Sequence, residues 1–100
     1  MPTNTSSPQR LEPVQSEKFT SIYSNTTNLE VTPWDFKFIF GRLVKPAEGN
    51  VPKIENLTEV IMSPQHAKAL FALLNNHIQE YEKQVGEIKL PQPENLATKS

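Results

Sequence analysis

Ser63, His66 and Lys68 are the first place in this sequence where side-chain types and spacing could do chemistry. A histidine in the first turn of a helix can act as a general base, its cationic form disfavoured by the helix dipole. The serine three residues before it is the one nucleophile it could serve. The same spacing has a structural meaning. Ser63-Pro64 reads as a helix start, with the hydroxyl as the cap and proline at the first helical position, where a missing N–H costs nothing. We assign Ser63 to the cap and keep His66 and Lys68 as candidate functional polar residues. Asp35, the only Asp in the chain, is a third. Just after Pro33-Trp34, its carboxylate suits hydrogen bonding to the backbone of a turn, and it could also hold a cation of a partner.

Other pairings fail on spacing. His66 and His77 are eleven residues apart, about three turns, whereas two metal ligands on one helix stand four apart. Glu80 and Glu82 flank Tyr81 on what reads as a solvated helix face. The three glycines are isolated, so neither a phosphate loop nor a dinucleotide pattern is present. Without cysteine there is no disulfide framework and no thiolate metal site. We expect no catalytic residues, no metal and no cofactor.

The elements that would position these residues lie between two polar ends. The chain has 100 residues and a net charge of −1. Residues 1–18, with Pro2, Pro8 and Pro13 and few large apolar side chains, read as a disordered N-terminal arm. Residues 91–100 read as a disordered C-terminal tail. Residues 19–90 then form a single domain, small enough that its own core is marginal and oligomerisation is the common remedy.

From Thr20 to Val31, Tyr23, Asn25, Thr27, Leu29 and Val31 alternate with polar residues, the period of an amphipathic strand. Thr32-Pro33 ends it. VTPWDFKFIF then predicts a second, central strand with Trp34, Phe36, Phe38 and Phe40 on one face and Asp35, Lys37, Ile39 and Gly41 on the other. Four such rings, at about 150–250 Å² each, are too much apolar surface to leave in water. KPAEGNVP is a loop. IENLTEVIM predicts a third strand, apolar on both faces towards its end and therefore buried there on both sides. Ser63-Pro64 opens a helix over residues 64–85, about 33 Å long, and Gly86 stands where a left-handed cap belongs. Ala67, Phe71, Leu74, Ile78, Tyr81 and Val85 follow the 4-3-4-3-4 spacing of a coiled-coil seam. Ala69, Ala72 and Leu73 widen the arc.

The fold class expected is α+β: a three-stranded antiparallel meander followed by one long C-terminal helix packed on the sheet. One helix, about 10 Å wide, cannot cover both faces of such a sheet. We therefore expect a homodimer, with Trp34, Phe36, Phe38, Phe71, Leu73, Ile78 and Tyr81 as candidate interface residues.

Two stretches, YSNTTNLEVTPWDFKFIFG and VIMSPQHAKALFALLNNHIQEYEKQVGEI, together with their order and separation, resemble the bacterial and archaeal family of domain of unknown function 3467. The residues that carry the likeness include Tyr23, Asn25, Asp35, Phe36, Phe40 and Gly41 in the first stretch. In the second they are Met62, Ser63, Pro64, His66, Ala67, Lys68, Leu70, Tyr81, Glu82, Gly86 and Ile88. The resemblance covers residues 23–88 and leaves the arm and tail outside. It implies a fold and a bacterial origin, and no activity.

The functional expectation is a non-enzymatic protein-interaction module acting as a homodimer with a protein partner. The alternative is a nucleic-acid-binding or regulatory dimer, in which the outer sheet face or the helix start contacts phosphate; bases stacked on the aromatic strand would be a further sign of it. It is the weaker reading because the eight Lys and two Arg are scattered and only Lys37 and Arg42 lie near the aromatic run. An active site assembled from two subunits stands third. No signal peptide and no long apolar run is visible, so a cytoplasmic location away from the membrane is expected.

Overall fold

A computed structural model describes residues 10–91. Three strands, β1 (Thr26–Val31), β2 (Phe36–Val44) and β3 (Lys53–Met62), form one antiparallel sheet in the order β1-β2-β3. The helix α1 (Pro64–Gln84) follows after a single residue, Ser63. This is the expected α+β arrangement, with the aromatic run as the central strand. Residues 1–9 and 92–100, where most of the expected arm and tail fall, lie outside the described residues.

The register places alternate residues of the three strands in common rows. Leu29 faces Phe38, which faces Val60; Val31 faces Phe36, which faces Met62. These rows lie on one face of the sheet, because side chains alternate along each strand. Phe40 continues that face, its ring stacked on Phe38 at 6.2 Å between centroids and 10° between planes. The opposite face carries the row Glu30, Lys37, Ile61, with Lys37 Nζ 3.6 Å from Glu30 Oε1.

β1 is shorter than its alternation predicts. It begins at Thr26, not Thr20, because side chains replace the ladder at that end. The Ser24 hydroxyl donates to the carbonyls of Thr26 and Gly41 at 2.9 and 2.8 Å, and Asn25 Oδ1 accepts from the Leu43 N–H at 3.0 Å. On the other side of β2, the β2–β3 register shifts between Phe40 and Gly41. Gly41 is buried there, and a Cβ on it would lie 2.7 Å from the Glu55 carbonyl oxygen and 2.9 Å from Thr26 Oγ1. Only glycine fits that crossing without movement of its neighbours.

Trp34 is not on the strand face. It sits in the β1–β2 turn, 78% exposed, so three aromatic residues share the face and not four. The turn is organised by Thr32, whose Oγ1 accepts from the N–H groups of Trp34 and Asp35 at 3.1 and 3.0 Å. The Thr32 N–H in turn donates to the Asp35 carbonyl at 2.9 Å.

The end of β3 is not buried on both sides. Val60 and Ile61 are 42% and 53% exposed. β3 is an edge strand, and of its last three residues only Met62 is half-buried.

α1 starts as its sequence dictates. Ser63 Oγ accepts from the His66 N–H at 3.1 Å, and Pro64 fills the first position. It ends at Gln84, one residue before the expected Val85, with Gly86 at φ 144°, a conformation that L side chains rarely adopt. Glu82 Oε2 accepts the Ile88 N–H at 2.9 Å just beyond the end. Ala67 is the one buried residue of α1. Every helical residue after it except Glu82 is exposed. The helix therefore meets its own sheet at its first turns and carries the rest of its apolar arc uncovered.

Candidate functional site

The aromatic face and the helix start together line a groove of about 380 Å³. β1 and β2 contribute Leu29, Phe36 and Phe38; the first two turns of α1 contribute Pro64, Ala67, Lys68 and Phe71. Its position follows from the tight β3–α1 connection. One intervening residue forces the helix to begin beside the Met62 end of the sheet, and the Val31-Phe36-Met62 row places the aromatic face directly next to it. Ala67, with no side chain beyond Cβ, allows the helix to approach. Phe71, one turn on, is 68% exposed, and Phe36 and Phe38 are only half-buried. The groove is thus an apolar floor with one polar group, Lys68, at its wall.

Of the candidate residues, the structure brings Phe36, Phe38, Phe71 and Lys68 together. Ile78 and Tyr81 lie further along the same side of α1, at two and almost three turns from Phe71, and both are exposed. Leu73 is exposed on a different side of the helix, outside the seam. Trp34 belongs to the turn. Leu29, Pro64 and Ala67 are groove residues that the sequence did not single out as site residues. Leu29 could have been found, because the β1 alternation puts it in phase with Val31 and a hairpin then places both opposite the phenylalanines.

Of the polar groups weighed in sequence, Ser63 and Asp35 are engaged locally. The Ser63 hydroxyl caps the helix through the His66 backbone, not its imidazole. Asp35 accepts a hydrogen bond from Thr32 Oγ1 at 3.2 Å on Oδ1 and lies in the turn. His66 is exposed at the helix start. Among the described residues, no three His, Asp or Glu side chains are grouped to hold a metal ion. Lys37 and Arg42, the cations nearest the aromatic strand, each face a glutamate in register. Lys37 pairs with Glu30, and Arg42 Nη2 lies 2.9 Å from Glu55 Oε1. Lys37 is also on the face opposite Phe36 and Phe38. No helix among the described residues is long and apolar enough to cross a membrane.

The chain matches no curated protein and no solved structure. It does match one family model, described as Protein of unknown function (DUF3467), over residues 2–90. That span reaches past the residues carrying the likeness in sequence and takes in the N-terminal segment, which the resemblance had left outside. Within it lie every part of the groove: the β1 and β2 residues, the Phe40-Gly41 register shift, the Ser63-Pro64 helix start and the helix itself. With nearly its whole length matched, the chain belongs to the DUF3467 family.

Proposed function

We propose that this protein is a non-enzymatic protein-interaction module that acts as a homodimer. The observation that carries the reading is the uncovered apolar surface. A half-covered aromatic sheet face runs directly into a helix whose apolar arc is exposed from Phe71 to Val85. Contiguous apolar surface of this extent marks an interaction site, because leaving it in water forfeits about 25 cal/mol for each Å². The polar candidates support binding over chemistry, since the Ser63 hydroxyl and the Asp35 carboxylate are engaged in a cap and a turn. The pairing of Lys37 and Arg42 with glutamates weighs against a phosphate-binding sheet, which needs cations interleaved with its aromatics.

Light scattering behind a sizing column, across a hundredfold dilution, tests the homodimer. The expected result is a mass of twice the 11.3 kDa chain at every concentration above the dissociation constant. A mass of 11.3 kDa throughout would overturn it.

A further inference from the structure

We propose that two copies of this chain pair through α1, antiparallel about a two-fold axis near residue 76, so that Tyr81 and Val85 of each helix close the groove of the other. This arrangement rests on the homodimer reading above and specifies its geometry.

The seam itself is symmetric under reversal. Ala67, Phe71, Leu74, Ile78, Tyr81 and Val85 are spaced 4-3-4-3-4, so turning a second helix end to end sets Leu74 against Ile78 and Phe71 against Tyr81, and carries Val85 to the level of Ala67, at the mouth of the groove. The groove lies at Ala67 and Phe71, the N-terminal end of the seam. The apolar side chains without any sheet beneath them lie at the C-terminal end, where Tyr81 is 51% and Val85 69% exposed. Each copy thus has a cavity at one end of its helix and unmatched apolar side chains at the other. Reversal brings the two together twice.

Area is sufficient. The exposed parts of Phe71, Leu74, Ile78, Tyr81 and Val85 amount to on the order of 600 Å². The groove residues raise this towards the roughly 800 Å² per partner that a standard specific interface buries.

Charge selects the direction. Lys68, Asn75 and Glu82 recur every seven residues along one flank of the seam, adjacent to Ala67, Leu74 and Tyr81. In an antiparallel pair this flank faces its own copy. Lys68 then meets Glu82 of the second copy, Asn75 meets Asn75 across the axis, and the Lys68–Glu82 contact occurs twice. In a parallel pair the flank would face the other side of the seam, Leu70 and His77, and neither Lys68–Glu82 contact would form. Lys68 makes no ion pair among the described residues, and Glu82 uses only Oε2, towards the Ile88 N–H.

The chain has no cysteine, so introduced thiols report without background. Leu74→Cys and Ile78→Cys are made separately, one carrying a mass tag, then mixed, allowed to exchange and oxidised. The expected product is a disulfide between the two different variants, with less than a tenth as much from either alone. Facing residues approach within disulfide reach, whereas two copies of Leu74 are displaced along the axis beyond it. Phe71→Cys mixed with Tyr81→Cys is a second pair with the same expectation, should the first perturb the seam centre. Self-linking of Leu74→Cys as efficient as the mixture would mean a parallel seam and would overturn the arrangement. So would absence of any cross-link in variants whose mass remains twice the monomer, which would place the contact elsewhere, as along the β3 edge. A monomeric mass for the unmodified chain would instead remove the homodimer itself.

Discussion

Ala67 and Phe71 stand one turn apart on the same side of α1, yet the first is 6% exposed and the second 68%. The boundary between the protein's own core and its uncovered surface passes between them. Substitution by aspartate should separate the two. Ala67→Asp buries an unpaired charge against the sheet, costing more than about 3 kcal/mol, and should abolish cooperative unfolding in a domain this small. Phe71→Asp places its charge on the uncovered side and should leave circular dichroism native-like while the mass falls to that of one chain. Equal loss of structure in both variants would show that Phe71 belongs to the monomer's core.

Gly41 is held by its neighbours and not by its φ. Gly41→Ala would drive a methyl group to 2.7 Å from the backbone oxygen of Glu55, which cannot move without parting β2 from β3. A loss of about 1–3 kcal/mol is expected, the usual range for overpacking, read as a lower urea midpoint. Gly49, at φ 86° in the β2–β3 loop with open space around it, supplies a control of a different kind. There alanine meets no atom, and only the backbone conformation is strained.

The order of elements was legible because each carries its own period. Leu29 and Val31 alternate, Phe36, Phe38 and Phe40 alternate, and the residues after Ser63-Pro64 recur at helical spacing. What was not legible depended on contacts between elements. Trp34 is in phase with Phe36, but the Thr32 side chain bends the backbone there, and phase in sequence does not survive a turn. Val60 and Ile61 look like a doubly buried strand end, yet burial of a face depends on another layer lying over it, which no local pattern encodes. The β1 start moved from Thr20 to Thr26 for a similar reason. Ser24 and Asn25 are as polar as the strand residues after them, and only their side-chain bonds to Gly41 and Leu43 of β2 mark where the ladder gives way to side chains. The groove was half visible: its phenylalanines stood out, while Leu29 and Pro64 entered only through the hairpin register and the one-residue β3–α1 connection.

Ser63 offers a test of cap against chemistry. Ser63→Ala removes the oxygen that accepts the His66 N–H and should cost about 1 kcal/mol in chemical denaturation. Ser63→Asp should restore most of it, since a carboxylate caps as well and adds a favourable interaction with the helix N-terminus. Failure of aspartate to restore stability, with alanine harmless, would mean that the hydroxyl is not the cap it resembles and would reopen Ser63 as a nucleophile for His66.

The charged flank of the seam provides a test that leaves its apolar residues untouched. Lys68→Glu sets the introduced carboxylate against Glu82 of a second copy at two symmetric points. Glu82→Lys brings the introduced ammonium against Lys68 in the same way. Each variant alone should dimerise more weakly. At about 0.5 kcal/mol for each attraction lost and each repulsion gained, the change over the two contacts is about 2 kcal/mol, on the order of thirtyfold in the dissociation constant. Mixing the two variants is the decisive step, because every contact on this flank then joins opposite charges. The introduced glutamate of one chain meets the introduced lysine of the other, and the unchanged Glu82 meets the unchanged Lys68. The mixture should therefore form heterodimers in preference to either homodimer, measured by native mass spectrometry. That preference should shrink in molar salt, as the screening length shortens to about 3 Å. In a parallel seam positions 68 and 82 face the opposite flank and not each other, so mixing would confer no such preference. The double variant Lys68→Glu, Glu82→Lys carries the same logic on one chain, since the two reversals together restore attraction at both antiparallel contacts. Recovery of the original dissociation constant by the double variant, beyond what either single change allows, is the outcome the antiparallel arrangement requires.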